Sequence, residues 1–288
     1  MLKIDNFKSI IDKYEVIFFD AFGVLKNYKG LLPGIENTFS YIESQHKEYY
    51  VVTNDASRSP MQLAESYHKM GLEAISPDRI ISSGMLAKEY LDLKVDDGIV
   101  AYLGTESSAH YIDSTGLHTL PVSAIDHTNI ERVNALVFLD DEGFNWSGDL
   151  NKVVNLLRKR TIPAIVANTD FAYPVTKNEV AIAIGGIARM VENIVGREFI
   201  RFGKPDSQMF MFAYDLIREY RPITKKQIVM VGDTLYTDIL GGNKFGMDTV
   251  LVFSGNTLSS DAETQMKTTG IVPTYICESA VVNQSEIF

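Results

Sequence analysis

Short apolar runs alternate with helix-like segments along the chain, and this alternation narrows the folds that it can adopt. The run from Glu15 to Phe19 is nearly all apolar and ends at Asp20. Similar runs extend from Tyr49 to Thr53, from Gln227 to Val231 and from Thr249 to Phe253. Such runs are typical of strands buried on both faces of a sheet, and strands that alternate with helices form parallel βαβ units. The sequence therefore predicts an α/β fold around a mainly parallel sheet.

Helices are predicted between these strands. The segments with helical character run from Ile35 to His46, Ser59 to Met70, Ser207 to Tyr220 and Thr237 to Phe245. The second of them has clear boundaries, because Ser59 can cap it, Pro60 suits the first helical position and Gly71 can end it.

The middle of the chain shows the same alternation and predicts a second α/β unit. Its expected strands are Ile99 to Leu103, Ala135 to Leu139 and Ile162 to Ala167. Its expected helices are Ser107 to Thr115 and Leu150 to Arg160. A chain of 288 residues with 45% hydrophobic content can bury enough surface for two domains. We therefore predict a core of residues 1–83 and 195–288, with a smaller α/β domain over residues 84–194. We expect Asp140-Asp141-Glu142 to form a solvated loop, with a contact between the smaller domain and the core as the alternative.

Composition argues against several kinds of partner. Nucleic-acid binding draws its affinity from clustered Lys and Arg, whereas this chain has a formal net charge of -10. No apolar run approaches the roughly 20 residues that a membrane-spanning helix needs. The single cysteine, Cys277, cannot form an internal disulfide and is expected to be a buried hydrophobic residue. We expect a cytoplasmic enzyme with no nucleic-acid or membrane partner.

Polar residues follow three of the predicted strands. Asp20 follows the first, Thr53 closes the second, and Asp233 follows the strand that ends at Val231. An aspartate in such a position is commonly a turn or cap residue when considered alone. Ligands of open parallel sheets, however, bind outside the carboxyl ends of the strands. Three clusters in this context therefore predict one functional site.

Carboxylates in such a site suit phosphoryl transfer. Asp20 can attack a phosphoryl group and form an aspartyl-phosphate that water later hydrolyses. Because two anions repel each other, we expect Mg²⁺ to be held by Asp20, Asp233 and a backbone carbonyl. Asp238 is either an ordinary acid in the first turn of a helix or a partner of this metal.

Other residues are expected to bind the phosphate and the rest of the substrate. The hydroxyl of Thr53 and the ammonium of Lys204 can cover the remaining phosphate oxygens. The backbone around Gly23 offers an anion-binding turn, and Asn54 is a further candidate for substrate binding. A solvated lysine in a turn is the alternative for Lys204, which precedes a predicted helix.

The four segments that carry these residues have a recognisable order. They read Phe18-Phe19-Asp20-Ala21-Phe22-Gly23-Val24-Leu25, Val52-Thr53-Asn54, Gly203-Lys204-Pro205 and Val231-Gly232-Asp233-Thr234-Leu235-Tyr236-Thr237-Asp238. Together they resemble the four motifs of the haloacid dehalogenase (HAD) superfamily. The resemblance implies a Rossmann-like parallel-sheet core with a cap domain, and a hydrolase that uses Asp20 as its nucleophile.

The spacing of these motifs indicates where the cap is inserted. Thirty-three positions separate Asp20 from Thr53, too few for a domain, whereas 151 separate Thr53 from Lys204. This arrangement is similar to class IIA HAD phosphatases, which act on small phosphorylated metabolites. The resemblance implies that Asn168 and Asp170 bind substrate, although a simple turn is the alternative for both. It also makes a homodimer through the cap an expected assembly.

Phe22 departs from the family pattern. HAD phosphatases carry a second aspartate at this position as general acid and base, and a phenylalanine side chain cannot protonate a leaving group. The carbonyl of Phe22 can still bind the metal. Because a positioned acid is typically worth about 10²–10⁴ in rate, we expect a slow or selective phosphatase.

Two alternatives to this phosphatase are open. The segment Asp20-Ala21-Phe22-Gly23 also resembles the first motif of haloacid dehalogenases, whose halide leaving group needs no proton. Those enzymes need no metal and carry their cap between the first two motifs, unlike this chain. A metabolite-binding pseudoenzyme is the second alternative, and Phe22 is the residue that favours it.

Overall fold

The computed structural model of the protein describes residues 2–176 and 179–283. The chain divides into two compact units. The larger contains the residues up to Thr53, Pro60–Ile81 and the chain from Lys204 onward, and the smaller contains Asn54–Ser59 and Ser82–Gly203. Among the described residues, none of the helices combines the length and apolar character needed to cross a membrane.

The strands and helices are short and follow one another closely. In chain order the strands are β1 (Leu2–Lys3), β2 (Val16–Phe19), β3 (Lys26–Asn27), β4 (Gly30–Leu31), β5 (Glu48–Thr53), β6 (Ile80–Ser82), β7 (Ile99–Leu103), β8 (His118–Pro121), β9 (Val133–Phe138), β10 (Ala164–Val166), β11 (Ala172–Pro174), β12 (Val180–Ile182), β13 (Ile200–Arg201), β14 (Ile228–Gly232), β15 (Asp248–Val252) and β16 (Tyr275–Cys277). The α-helices are α1 (Lys8–Lys13), α2 (Ile35–Ser44), α3 (Pro60–Lys69), α4 (Ser83–Lys94), α5 (His110–Asp113), α6 (Trp146–Lys159), α7 (Ile184–Val195), α8 (Ser207–Arg218), α9 (Leu240–Phe245) and α10 (Ser259–Thr269).

The larger unit is built on a seven-stranded sheet with the order β1-β16-β15-β14-β2-β5-β6. The pairings from β1 across to β5 are parallel, which confirms the predicted parallel-sheet core. All four residues of β2 are buried, as its apolar sequence predicts. Aromatic rings pack on one face of this sheet, where the centroid of Phe19 lies 6.0 Å from Phe7 and 5.5 Å from Phe39.

The smaller unit has a second, five-stranded parallel sheet with the order β13-β10-β9-β7-β8. Its own apolar core includes Phe138 and Phe199, whose rings stack with centroids 5.5 Å apart. The strand β13 lies beyond residue 195 and pairs with β10. This pairing explains why the smaller unit continues to Gly203 rather than ending near the predicted boundary.

Several elements differ from the sequence prediction. The helix predicted from Ser107 to Thr115 is only the single turn α5. The helix predicted from Leu150 begins earlier, at Trp146 of α6, because the side chain of Asn145 accepts a hydrogen bond from the Gly148 N–H and caps the helix. The prediction lacks α10, whose sequence is mostly polar, and the short strands β8 and β16. Residues Leu235–Ile239, which include the start of the helix predicted from Thr237, form a π-helical turn before α9.

Candidate active site

The register of three neighbouring strands sets the position of the acidic residues. Phe19 of β2 pairs with Val51 of β5 on one side and with Val231 of β14 on the other. Because the three strands are parallel, the residues that follow them emerge at one edge of the sheet. Asp20 follows β2 directly, and its N–H donates to the carbonyl of Val231 at 2.9 Å. Asp233 follows β14 at the same edge.

Lys204 lies between two carboxylates of the larger unit. Its Nζ is 2.6 Å from Asp20 Oδ1 and 2.7 Å from Asp238 Oδ1, and the lysine is 1% exposed. Burial alone would lower the pKa of Lys204, but the two carboxylates raise it above its ordinary value. Lys204 is therefore a fixed cation of the site, and the solvated-turn alternative is wrong.

Asp233 is completely buried next to the loop that follows β15. Its Oδ2 accepts the N–H of Asn256 at 2.6 Å, and its Oδ1 accepts the hydroxyl of Thr234 at 3.1 Å. Burial and the nearby carboxylates of Asp20 and Asp238 raise the pKa of Asp233 well above its ordinary value, although both hydrogen bonds act the other way. A positive charge placed beside Asp233 would relieve this penalty.

Asp238 belongs to the π-helical turn and is also completely buried. Single π-helical turns within helices often occur at functional sites. Its Oδ2 accepts the N–H of Thr234 at 3.1 Å, while Oδ1 faces Lys204. Burial and Asp20 raise the pKa of Asp238 to about 7, against the opposing effect of Lys204. Asp238 is thus a member of the acidic cluster as well as a residue of a helical turn.

The three carboxylates are close enough to hold a metal ion. Asp20, Asp233 and Asp238 each offer one oxygen, and these oxygens lie within 4.8 Å of one another. Hard divalent cations prefer such oxygen ligands. Burial and the neighbouring carboxylates raise the pKa values of Asp233 and Asp238, and a cation bound between them would oppose this effect. The donor set and its charge therefore fit a divalent cation.

The turn after Asp20 packs tightly against Asp233. Gly23 has a φ of +81°, and a Cβ on it would lie 2.1 Å from Asp233 Oδ2. The Gly23 N–H donates to the carbonyl of Lys26 at 2.7 Å and closes the turn. Phe22, in the same turn, is partly buried, and its side chain has no group that can exchange a proton.

Thr53 ends β5 and is 6% exposed.

The loop after β15 contributes residues that the sequence analysis missed. Ser254 donates its hydroxyl to the carbonyl of Gly23 at 2.7 Å, and Asn256 donates its side-chain amide to Thr234 at 3.0 Å. A Cβ on Gly255 would lie 2.0 Å from Asp233 Oδ2. These residues follow a predicted strand, so the strand-end rule could have found them. Unlike the segments that follow β2 and β14, however, this loop has no carboxylate among residues 254–256, and a carboxylate is the signal that marked Asp20 and Asp233.

The predicted substrate residues Asn54, Asn168 and Asp170 lie in the smaller unit. Asn54 is 2% exposed, and its amide nitrogen donates to Asp170 Oδ1 at 2.9 Å and to Thr169 Oγ1 at 3.1 Å. The Asp170 N–H donates to Asn168 Oδ1 at 2.9 Å. The structure thus brings these residues together as one hydrogen-bonded group. Residues 168–170 form a turn, and the Asn54 side chain donates hydrogen bonds to two of its residues.

Comparisons with known proteins match this architecture. A family model described as haloacid dehalogenase-like hydrolase matches residues 17–118, and a second HAD-hydrolase-like model matches residues 201–280. A possible sugar phosphatase of the HAD superfamily from Cytophaga hutchinsonii is 70% identical to this chain, with a TM-score of 0.95. The match covers 98% of this chain and 100% of that one. The chain belongs to the haloacid dehalogenase superfamily.

Other relatives of this HAD protein are phosphatases of the class IIA branch. Chronophin from Bos taurus is 26% identical over 279 residues, covering 94% of this chain and 93% of its own length. Phosphoglycolate phosphatase 2 from Arabidopsis thaliana is 28% identical, with coverage of 91% and 90%. The predicted family, fold and hydrolase class are therefore confirmed. Its homology to these phosphatases identifies this HAD protein as a phosphoric monoester hydrolase.

Proposed function

We propose that the protein is a Mg²⁺-dependent phosphatase that hydrolyses a small phosphorylated metabolite through an aspartyl-phosphate at Asp20. The observation that carries this proposal is the position of Lys204, which is buried between Asp20 and Asp238 while Asp233 lies within metal-binding reach. This arrangement fixes one oxygen of the nucleophile and leaves its second oxygen to attack phosphorus. Phosphatases among the relatives agree with it.

The covalent step forms a bond between Asp20 Oδ2 and phosphorus and breaks the bond from phosphorus to the leaving oxygen. Lys204 holds Oδ1 of the nucleophile in place and offsets part of its charge. In the second step, water attacks the phosphoryl group, the Asp20–phosphate bond breaks, and inorganic phosphate leaves. We assign Thr53 and the N–H groups of the turn at Gly23 to binding the phosphate oxygens.

Mg²⁺ would neutralise charge on the nucleophile and the phosphate when bound. Asp20, Asp233 and Asp238 supply the carboxylate oxygens that would hold it, together with the carbonyl of Phe22. A divalent metal that remains partly hydrated suits a site of this kind, since Mg²⁺ usually keeps several waters. Removal of Mg²⁺ with EDTA should therefore abolish phosphate release.

Phe22 makes the enzyme selective for leaving groups that are stable as anions. Without an acid at this position, an alkoxide leaving group must depart unprotonated, which costs on the order of 10²–10⁴ in rate. Nitrophenyl phosphate and acyl phosphates have leaving groups that need no proton. The test is phosphate release, with Mg²⁺, from acyl, nitrophenyl and alkyl phosphates.

The variant Phe22→Asp is the matched comparison for that panel. It should raise turnover of alkyl phosphates by at least about tenfold and change nitrophenyl phosphate much less. Equal acceleration for all leaving groups, or none, would contradict the role given to Phe22.

The smaller unit is assigned as the cap domain that selects the metabolite. We propose Asn168 and Asp170 as its substrate residues, on the strength of the class IIA kinship. Phosphoglycolate phosphatase and the possible sugar phosphatase among the relatives suggest a small, hydroxylated phosphate ester. A cytoplasmic location belongs to the same proposal, and the single buried cysteine supports it.

A homodimer through the cap is a further part of the proposal. Large apolar side chains are exposed on the β11–β12 hairpin and its flanks, and on α7: Phe171, Val180, Ile182, Met190 and Ile194. Contiguous exposed apolar surface commonly marks a protein interface. Light scattering should give the mass of a dimer, and Ile194→Glu should return it to a monomer.

A metabolite-binding pseudoenzyme is the second candidate, and Phe22 is the observation that favours it. Such a protein would be stabilised by a phosphate ester against heat without releasing phosphate. Stabilisation combined with Mg²⁺-dependent release from any ester in the panel would exclude it.

A further inference from the structure

We propose that Asn54 is a positioning residue whose side-chain amide fixes the carboxylate of Asp170 and holds residues 168–170 in the conformation that turnover requires. The inference rests on the proposed phosphatase function. It differs from a direct substrate contact, which the sequence analysis expected of Asn54.

The contacts of Asn54 support this role. Asn54 is 2% exposed, and its Nδ2 donates to Asp170 Oδ1 at 2.9 Å and to Thr169 Oγ1 at 3.1 Å. Because a carboxylate only accepts hydrogen bonds, the nitrogen of the amide must face Asp170. Both N–H groups of the amide are then used within the protein. Ser83 donates its hydroxyl to the carbonyl of Asn54 at 2.9 Å and anchors the backbone.

Two glycines allow the segment 168–170 to approach so closely. A Cβ on Gly203, which has a φ of +123°, would lie 2.7 Å from Asn54 Oδ1 and 3.2 Å from Thr169 Oγ1. A Cβ on Gly185, at the start of α7, would lie 2.5 Å from the carbonyl oxygen of Asp170. A side chain at either position would push the segment away. The turn is thus held by the Asn54 amide on one side and by close backbone packing on the other.

Asn54 and Gly203, which contact or border the turn at residues 168–170, are each adjacent in the chain to a proposed catalytic residue. Asn54 directly follows Thr53, and Gly203 directly precedes Lys204; these are two of the four bonds at which the chain passes from one unit to the other. The Asn54 amide donates to Thr169 Oγ1, and a Cβ on Gly203 would lie 3.2 Å from the same oxygen. Asp170 is partly exposed, and Asn54 donates to its Oδ1.

A double-mutant cycle with Asp170 tests this inference. Asn54→Asp alone places two carboxylates at hydrogen-bond distance, and we expect kcat/KM for nitrophenyl phosphate to fall about 100-fold, chiefly through KM, with the Mg²⁺ requirement unchanged. In an Asp170→Asn background the hydrogen bond can re-form with donor and acceptor exchanged. There Asn54→Asp should cost no more than about threefold. Equal losses in the two backgrounds would overturn the inference.

Ser83→Ala is the matched control, because it removes a hydrogen bond to the backbone of Asn54 and leaves the amide in place. It should change KM by less than about twofold. A loss as large as that of Asn54→Asp would show that any disturbance of Asn54 suffices, and would contradict a specific role for its amide.

Failure of the proposed function has a different signature. A wild-type protein without phosphate release would contradict the phosphatase, whatever the variants do. The same cycle can then be measured on the affinity for inorganic phosphate with Mg²⁺ by calorimetry. Additive effects on that affinity, or no phosphate binding at all, would overturn the role of Asn54 as well.

Discussion

Two groups of acidic residues follow parallel strands in this protein, one in each unit, and they differ in how their charge is compensated. In the larger unit, Asp233 and Asp238 are fully buried and Lys204 forms an ion pair with Asp238. In the smaller unit, Asp140 and Asp141 lie shortly after β9 and are only partly buried. Asp140 accepts a hydrogen bond from the hydroxyl of Thr105 at 3.1 Å, and Asp141 accepts one from the hydroxyl of Tyr173 at 2.9 Å.

Burial raises carboxylate pKa values in both groups. It raises the pKa of Asp238 to about 7, and burial together with Asp141 raises the pKa of Asp140 to about 6. A raised carboxylate pKa therefore does not distinguish the proposed active site from the acidic loop of the smaller unit. The buried lysine does, because it holds one oxygen of Asp20 in a fixed position.

The largest expected effect comes from removing the buried lysine. Lys204→Met should lower kcat by about 10²–10³-fold, since it removes a fixed charge next to Asp20, the proposed nucleophile. In EDTA it should also lower the free energy of unfolding by about 3–5 kcal/mol, because a buried ion pair loses one partner. Chemical denaturation and phosphate release measure the two effects.

Lys267→Met is the control for that experiment. Lys267 pairs with Glu263 at the same distance of 2.6 Å, but both side chains are about three-quarters exposed. We expect no measurable change in stability or turnover. Similar losses in the two variants would show that burial is not what separates the two kinds of pair.

A smaller effect is expected from Gly255→Ala. The new Cβ would lie 2.0 Å from Asp233 Oδ2, so the carboxylate must move. The Mg²⁺ concentration for half-maximal activity should rise about 10-fold or more, as it does when residues that orient a metal ligand are changed. Gly148→Ala in α6, where the nearest atom is 3.2 Å away, should leave this concentration unchanged.

The smallest expected effect concerns the acidic group of the smaller unit. The pKa of Asp140 is higher in the folded state than its ordinary value near 4, so the folded state binds more protons and stability falls as pH rises from about 4 to about 6. Asp140→Asn should remove this decline and stabilise the protein by about 1 kcal/mol at pH 7, a value reduced by solvent screening. Thermal unfolding at pH 4 and pH 7 measures the difference, and turnover should change little. A large loss of turnover would place Asp140 in the reaction.

The acidic core of the site was predictable because its signals are local. An apolar strand followed by Asp20, and a second followed by Asp233, predict the sheet and the edge at which these carboxylates meet. The contact between Asn54 and Asp170 was not predictable, since 116 positions separate them and only the folded chain brings them together. The partial burial of Asp140 was missed for the same reason, because the expected solvated loop packs against Thr105 and Tyr173.

Secondary structure was missed where tertiary packing rather than local pattern creates it. The helix α10 has a largely polar sequence and buries only Ala262 and Met266. Strand β16 is three residues long and pairs with both β1 and β15. Neither length nor periodicity marks such elements in the sequence.

Capture of the phosphoryl-enzyme tests the central claim most directly. Wild-type protein and Asp20→Asn would be mixed with nitrophenyl phosphate and Mg²⁺, quenched in acid within the first turnover, and analysed by mass spectrometry of the intact chain and its peptides. We predict one added phosphoryl group, on the peptide that contains Asp20, in the wild type with Mg²⁺ and none with EDTA or in the variant. Phosphate release that persists in Asp20→Asn, or a phosphoryl group on another residue, would contradict the mechanism.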